Sequence, residues 1–248
     1  AQIAAPFYSK YTDIMGAKDV APDRRWMTTR YRYIALGYNT KLLKPEEAPK
    51  SYEDLLDPKW KGKIISRDPT VSGTGSSLAG FYFHPQLGQD FIRRLYTEQE
   101  VVLTKDGRQG AEWLALGKYA IYVLGSGNDV QELKGQGLPV DDWLKPTKEG
   151  ARISSGGTGT ISIFNRAAHP NASKLFINWW LSKEGQLTAQ RMNTEDESLR
   201  MDIAKDMVST EHRRDPNIEY SFMDADPTIV SRESEMLGYM KKVLESKQ

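Results

Sequence analysis

The sequence has no cysteine among its 248 residues and only three histidines. Without cysteine the chain forms no disulfide, no thiolate metal site and no thiol nucleophile. Because His84, His169 and His212 are far apart and lack metal-ligand spacing, we predict no metal site at them. The lack of cysteine fits an exported protein that avoids misoxidation, although many cytosolic proteins also lack it.

The chain also lacks an excess of either charge and any long apolar run. Lys and Arg total 34 against 33 Asp and Glu, a net charge of +1. This balance gives no electrostatic reason to bind nucleic acid or an anionic membrane, so we expect neither partner. No stretch approaches the roughly 20 apolar residues that span a bilayer. The chain begins at Ala1, and we expect a processed or cut N-terminus.

What the sequence does contain is an alternation of strand and helix patterns. Lys63–Ser66 and Tyr119–Leu124 are apolar runs typical of buried strands, and helical spacing follows each. A long amphipathic helix is predicted from Ala172 to Arg191, with Trp179 and Trp180 in the core. The alternation predicts an α/β fold with a mostly parallel sheet.

Two small-residue turns each join a predicted strand to a predicted helix. The first is Asp68–Ser77 and the second is Gly125–Asn128. Unpaired N–H groups at a helix start, together with glycine and hydroxyl side chains, suit an anion. The alternative is that the hydroxyl side chains only cap the helices. Since ligands of parallel α/β sheets bind beyond the strands' carboxyl ends, the arrangement favours the ligand interpretation of both turns.

Several segments, in order between residues 33 and 203, resemble the ferric-ion-type branch of bacterial ABC-transporter substrate-binding proteins. They are Asn39–Leu42, Ser51–Leu55, Asp57–Ile64, Asp68-Pro69 with Ser72-Gly73 after it, His169–Phe176, Leu181–Gln186 and Ser198–Asp202. Each match is weak alone, but together they are specific.

The resemblance implies a type II periplasmic-binding fold, in which two α/β domains joined by crossover strands close on a solute. Residues 1–38 and 158–248 would form domain I, and residues 39–157 domain II. It further implies a monomeric, exported or lipid-anchored protein that needs no cofactor. Its partners would be a small anionic solute and a membrane ABC permease.

The chain departs from the family pattern in two ways. Members usually begin with a β-α-β segment ahead of the point where this chain starts, so we expect domain I to be incomplete. Iron-binding members carry adjacent tyrosines after the strand that matches Tyr119–Leu124. This chain has Gly125-Ser126-Gly127 there, which offers no phenolate and suits hydrogen bonds to an oxyanion.

The candidate ligand-binding residues come from the two turns, the strand before the first crossover, the start of the return crossover and one polar loop. They are Ser72, Gly73, Thr74, Arg30, Arg32, Ser126, Asn128, Thr158 and Arg200. Each has a purely structural alternative: a helix cap for the turn residues, a hinge role for Thr158, and a solvated face or ion pair for the arginines.

We therefore predict a non-catalytic solute-binding protein for a phosphonate, a phosphorylated metabolite or a carboxylate. One alternative is binding of iron or an iron chelate. The other is an enzyme acting on a phosphate or acyl group. The chain lacks the P-loop ending, the Gly-x-Ser-x-Gly elbow and the His–Glu metal motif that would favour such an enzyme.

Overall fold

A computed structural model describes residues 26–30, 32–33, 36–71, 74–125, 127–143, 151–155, 160–194, 197–213, 219–222 and 227–247. The described residues belong to two compact units. Unit 1 lies within 1–32 and 155–216, and unit 2 lies within 33–154, 217–223 and 227–248.

The strands and helices alternate along much of the chain. The strands are β1 (Trp26–Thr28), β2 (Arg32–Tyr33), β3 (Leu36–Asn39), β4 (Ile64–Arg67), β5 (Val102–Thr104), β6 (Ile121–Val123), β7 (Val140–Trp143), β8 (Ala151–Ser155), β9 (Thr160–Ser162) and β10 (Glu219–Phe222). The helices are α1 (Gly75–Tyr82), α2 (Gly88–Glu98), α3 (Gly107–Ala115), α4 (Gly127–Gly135), α5 (Pro170–Trp180), α6 (Lys183–Met192), α7 (Pro227–Ser231) and α8 (Glu233–Glu245).

Unit 2 is built on a five-stranded sheet with the order β5-β4-β6-β3-β7. Strand β4 is parallel to β5 and β6, whereas β3 is antiparallel to β6 and β7. A second ladder pairs β8 and β10 in parallel and continues to β2. The larger sheet is therefore mixed, with its parallel strands β5, β4 and β6 next to one another.

Helices cover both faces of the five-stranded sheet because neighbouring residues on a strand point in opposite directions. Ile64 belongs to the apolar cluster that includes residues of α1, α2 and α8. Its neighbour Ile65 belongs to a second cluster, formed with residues of α3 and α4. Burial of these two clusters is the main source of stability of unit 2.

The closing helix α8 packs on α1 and α2 of unit 2, whereas the sequence assigned its residues to domain I. Met236, Met240 and Val243 are buried in the same cluster as the α1 and α2 side chains. At its start, Glu235 accepts a hydrogen bond from the Tyr82 hydroxyl at 2.9 Å and binds the Arg232 guanidinium at 2.8 Å. These contacts fix the first turn of α8 against α1.

The Glu235 contacts predict a pH dependence of unfolding. Hydrogen bonds from Arg232 and then Tyr82 lower the pKa of Glu235 from 4.5 to about 2. A carboxylate with a lowered pKa stabilises the fold above its unfolded pKa, and that stabilisation disappears as the pH falls toward 2. Thermal unfolding between pH 5 and pH 2 should therefore depend less steeply on pH in Glu235→Gln than in the wild type.

The matched control for this prediction is Glu233→Gln, which removes one carboxylate from the same helix. Thermal midpoints of the three proteins are measured by circular dichroism across the range. Equal slopes for the wild type and Glu235→Gln would contradict the prediction.

Unit 1 contains the antiparallel pair β1–β9 and the helices α5 and α6. The predicted single helix over 172–191 is wrong, because the helix is interrupted at Leu181 and Ser182. Ser182 has an extended backbone, and its hydroxyl accepts a hydrogen bond from the Gly185 N–H at 3.1 Å. This N-cap starts α6 as a separate helix.

The predicted core position of the α5 tryptophans is also not observed. Trp179 is 37% exposed and Phe176 is 53% exposed, whereas Ile177 on the same helix is buried. The helical periodicity correctly indicated an apolar face. It could not show whether this chain provides the surface that covers that face.

Candidate functional site

The carboxyl ends of three parallel strands of unit 2 lie at one edge of the sheet. Ser66 pairs with Val123 across β4 and β6, and Arg67 pairs with Thr104 across β4 and β5. Helices α1, α3 and α4 each follow one of these strands along the chain. Several helix N-termini are therefore collected at this edge, the usual ligand position in α/β sheets.

A side chain within the loop from β4 to α1 fixes the conformation of that loop. Asp68 accepts hydrogen bonds from the Thr70 N–H at 2.9 Å and the Thr70 hydroxyl at 2.6 Å. The Thr74 N–H bonds to the Val71 carbonyl at 3.1 Å, which brings Thr74 to the start of α1. The sequence folds this way because an aspartate side chain satisfies the backbone of the following turn.

Thr74 is the N-cap residue of α1, but its side chain makes no capping hydrogen bond. The residue is 1% exposed, and its Oγ1 has no hydrogen-bond partner among the described residues. By contrast, Asp106 caps α3 by accepting a bond from the Gln109 N–H. A buried hydroxyl without a partner costs about 1–3 kcal/mol, a cost that a ligand accepting its hydrogen bond would remove.

Arg67 ends β4 at the same edge and is partly buried. Its Nε is inaccessible to solvent and has no hydrogen-bond partner in the described part of the chain. Burial raises the pKa of Tyr122 and of Asp129, and the positive charge of the Arg67 guanidinium opposes both shifts. A buried guanidinium N–H that no other group satisfies is a natural donor to an anion.

Tyr122 lies under this edge as a buried, neutral phenol. Its hydroxyl donates to the Gly107 carbonyl at 3.0 Å, and burial raises its pKa. A Cβ atom added at Gly110 or at Gly125 would come within 2.6 Å or 2.3 Å of the ring, respectively. The two glycines therefore let the backbone pass directly beside the ring. Separately, the raised pKa keeps the Tyr122 hydroxyl protonated.

The turn from β6 to α4 forms the other part of the edge. Leu124 adopts a φ of 54°, a left-handed conformation that is strained for leucine and is found preferentially at functional sites. Asn128 is exposed in the first turn of α4. Burial, followed by the nearby Glu132 carboxylate, raises the pKa of Asp129, while Arg108 and Arg67 oppose that shift.

Two of the predicted site residues, Thr74 and Asn128, are described at this edge, one at the start of each of two helices. The predicted residues Ser72, Gly73, Ser126 and Thr158 lie outside the described residues. Arg32 is in β2, at the boundary between the two units.

The structure places the remaining two predicted arginines in unit 1. Arg30 is partly exposed and forms an isolated antiparallel bridge with Ser198. The buried Arg200 guanidinium donates to Asp202 at 2.6 Å and to the Leu181 carbonyl, also at 2.6 Å. This is the geometry of a structural ion pair. The sequence analysis gave such an ion pair as the alternative to ligand binding by Arg200.

Sequence reasoning missed Arg67 and Asp129. Arg67 is the last residue of a short apolar strand, directly before the small-residue turn. Its position at a strand's carboxyl end was the signal that could have identified it. Asp129 looked like an ordinary acidic residue of a helix's first turn.

Two further properties of the described residues bear on the chemistry. No helix in them has both the length and the apolar character needed to cross a membrane. No group of three or more His, Asp or Glu side chains in them is placed to hold a metal ion.

Comparison with known proteins gives a family match over most of the chain. Residues 4–187 match the model of the family described as bacterial extracellular solute-binding protein. An uncharacterised protein of Haemophilus influenzae is 29% identical over 197 residues, which cover 73% of this chain and 53% of that protein. A Salmonella typhimurium protein, provisionally named as a 2-aminoethylphosphonate-binding periplasmic protein, is 26% identical over 166 residues. That match covers 65% of this chain and 48% of the relative, so the chain spans about half the length of these curated relatives.

Solved structures match nearly the whole chain. AfuA from Actinobacillus pleuropneumoniae, a periplasmic binding protein with fructose-6-phosphate bound, gives a TM-score of 0.70 at 21% identity, covering 99% of this chain and 74% of that one. Iron-bound HitA from Pseudomonas aeruginosa gives 0.67 at 18% identity, covering 98% and 76%. These identities show the fold alone, and the likeness confirms the predicted α/β type II periplasmic-binding class.

Proposed function

The chain belongs to the family of bacterial extracellular solute-binding proteins, and from this premise we propose that it binds a small oxyanion at the sheet edge of unit 2. The solute would be a phosphonate, a phosphorylated metabolite or a carboxylate. We further propose that the protein acts outside the cytoplasm, without catalysis, and delivers the solute to a membrane ABC permease.

The observation that carries the proposal is the unsatisfied Thr74 hydroxyl at the start of α1. An anion placed there would accept hydrogen bonds from Thr74 Oγ1 and from the free N–H groups of the helix's first turn. Arg67 adds a second buried donor without a partner in the described part of the chain, at the end of the preceding strand. A ligand oxyanion would accept a hydrogen bond from either group, whereas a helix cap alone would leave the Arg67 Nε unsatisfied.

The similar proteins include some that are associated with a phosphorus oxyanion and one that holds iron. The Salmonella relative carries a phosphonate-binding name, and AfuA holds a phosphorylated sugar. HitA holds iron, and iron or an iron chelate is the second candidate. The oxyanion is our first candidate because the two unsatisfied groups at the described edge, Thr74 Oγ1 and Arg67 Nε, can both donate hydrogen bonds to an anion.

A titration series distinguishes these candidates. Isothermal titration with 2-aminoethylphosphonate, fructose-6-phosphate, citrate and ferric citrate should reveal tight binding of at least one iron-free anion. If none of them binds, the oxyanion proposal fails. Visible charge-transfer colour with ferric citrate, without binding of citrate alone, would favour the iron candidate.

Thr74→Val should change stability and affinity in opposite senses. Removing a buried hydroxyl that has no partner among the described residues should raise the free energy of unfolding of the ligand-free protein by about 1 kcal/mol. The same change should weaken binding of the oxyanion about tenfold, since a hydrogen bond to a charged group is lost. Urea unfolding and calorimetric titration measure the two effects.

Thr70→Val is the matched control, because the Thr70 hydroxyl already donates to Asp68 at 2.6 Å. That variant should lose about 1 kcal/mol of stability and keep its affinity within about twofold. Unchanged affinity in Thr74→Val would contradict the assignment of the site to the start of α1.

A further inference from the structure

One carboxylate at the sheet edge of unit 2 has no partner among the described residues. Asp129 lies in the first turn of α4, and its carboxylate makes neither a hydrogen bond nor an ion pair with any residue that the structure describes. A Cβ atom added at Gly107, the first residue of α3, would lie 3.0 Å from Asp129 Oδ2. The Asp129 side chain therefore reaches from the start of α4 to the start of α3.

Three neighbouring carboxylates at this edge already have partners. Asp68 accepts two hydrogen bonds within its own loop, and Asp106 caps α3 by accepting a backbone N–H. The Glu132 carboxylate, one turn after Asp129 on α4, lies 3.4 Å from the Arg108 guanidinium. Asp129 differs from these three because its hydrogen-bonding capacity is left for a ligand.

Asp129 lies where its negative charge is poorly compensated. The residue is half-buried, and burial followed by the nearby Glu132 carboxylate raises its pKa. Arg67 opposes that shift, yet no ion pair joins the Arg67 and Asp129 side chains. A half-buried carboxylate without a partner is costly, and a cationic group that donates a hydrogen bond to it would remove that cost.

The unsatisfied groups of this edge carry both signs of charge. Arg67 and Asp129 both act electrostatically on the buried Tyr122 phenol, the aspartate raising its pKa and the arginine lowering it. The donors Arg67 Nε and Thr74 Oγ1 are buried and lack partners in the described part of the chain. A ligand that complements all three groups needs an anionic end for the two donors and a cationic end for the carboxylate.

We propose that the solute is a zwitterion, an oxyanion that also carries an ammonium group, and that Asp129 is the specificity-determining residue that receives this ammonium. The inference rests on the proposed function, because the oxyanion is placed at Thr74 and Arg67. The ammonium would donate to the Asp129 carboxylate and neutralise it. A solute with negative charge alone would meet the same carboxylate without compensation, so the site would disfavour it.

Pairs of ligands that differ only in the ammonium group test the inference. In 2-aminoethylphosphonate and propylphosphonate, a methyl group replaces the ammonium at the same position. The pairs phosphoethanolamine with propyl phosphate and β-alanine with butyrate repeat this replacement for the other two oxyanion classes. In calorimetric titrations of the wild-type protein, the zwitterion of at least one pair should bind at least about tenfold more tightly than its partner.

The outcome separates this inference from the proposed function. Equal affinities within every pair that binds would overturn the role of Asp129 and leave oxyanion binding standing. Tighter binding of the ligand without ammonium would do the same. No binding of any of the six compounds would contradict both.

Asp129→Asn should abolish the preference for the zwitterion. It should weaken binding of the preferred zwitterion at least about tenfold and change the affinity for the matched anion less than about threefold. The control Glu132→Gln removes a carboxylate from the same helix, and the 53% exposed Glu132 side chain is already paired with Arg108. This control should keep the preference, and thermal unfolding checks that both variants are folded. Equal losses for both ligands in Asp129→Asn would overturn the inference, because the carboxylate would then act on the oxyanion or on the fold.

Discussion

Gly125→Ala is expected to lower the free energy of unfolding by about 2–4 kcal/mol, a large change for one added methyl group. A Cβ at this position would lie 2.3 Å from Cε1 and 2.6 Å from Cδ1 and Cζ of Tyr122. The ring cannot move aside, because Gly110 adjoins it and its hydroxyl bonds to the Gly107 carbonyl. Urea unfolding followed by circular dichroism measures the loss.

Gly238→Ala provides the matched control, since a Cβ there meets no atom within 4 Å. Gly238 lies in the interior of α8, so alanine should stabilise the protein by about 0.5–1 kcal/mol through its higher helix propensity. The two substitutions add the same methyl group and should have opposite signs. A loss below about 1 kcal/mol in Gly125→Ala would show that the turn after β6 adapts freely.

Arg67→Met should weaken binding of the preferred oxyanion by about tenfold to a hundredfold. A charge-assisted hydrogen bond contributes about 1.5–3 kcal/mol, and each 1.4 kcal/mol corresponds to a tenfold change in affinity. Methionine keeps much of the side chain's apolar volume and removes the charge and the Nε donor. Calorimetric titration with the tightest-binding anion measures the change, and thermal unfolding of the free variant checks that it is folded.

Arg108→Met is the control for charge removal in the same unit. The Arg108 guanidinium is exposed and lies 3.4 Å from the carboxylates of Glu112 and Glu132. Its removal should change the affinity less than about threefold, because exposed ion pairs contribute little and are screened by salt. Similar losses in both variants would indicate general attraction by net charge, without a specific role for Arg67.

Local sequence signals predicted most of unit 2 because each depends on neighbours along the chain. The apolar runs gave β4 and β6, and the helical spacing that follows each run gave α1 and α4. The small-residue turns led to Thr74, which begins α1 as the strand–turn–helix pattern indicated. Membership of the family was also readable from ordered motifs spread across the chain, and the family match confirmed it.

Tertiary packing decided the features that depend on distant residues. Sequence could not show that the Arg67 Nε would lack a partner among the described residues, because satisfaction of a buried donor depends on every atom around it. It assigned the residues of α8 to domain I, whereas α8 packs on α1 and α2 of unit 2 and the Tyr82 hydroxyl bonds to Glu235. A helical apolar face does not by itself specify which surface covers it.

The exposed apolar side of helix α5 shows most clearly the difference between what local sequence and what tertiary structure determine. The order of residues alone determined that Leu175, Phe176 and Trp179 share one side of a helix, because the helical repeat is a local property of the backbone. Only the folded chain showed that this side lies open, because burial requires a second surface, and the described residues of unit 1 leave it uncovered.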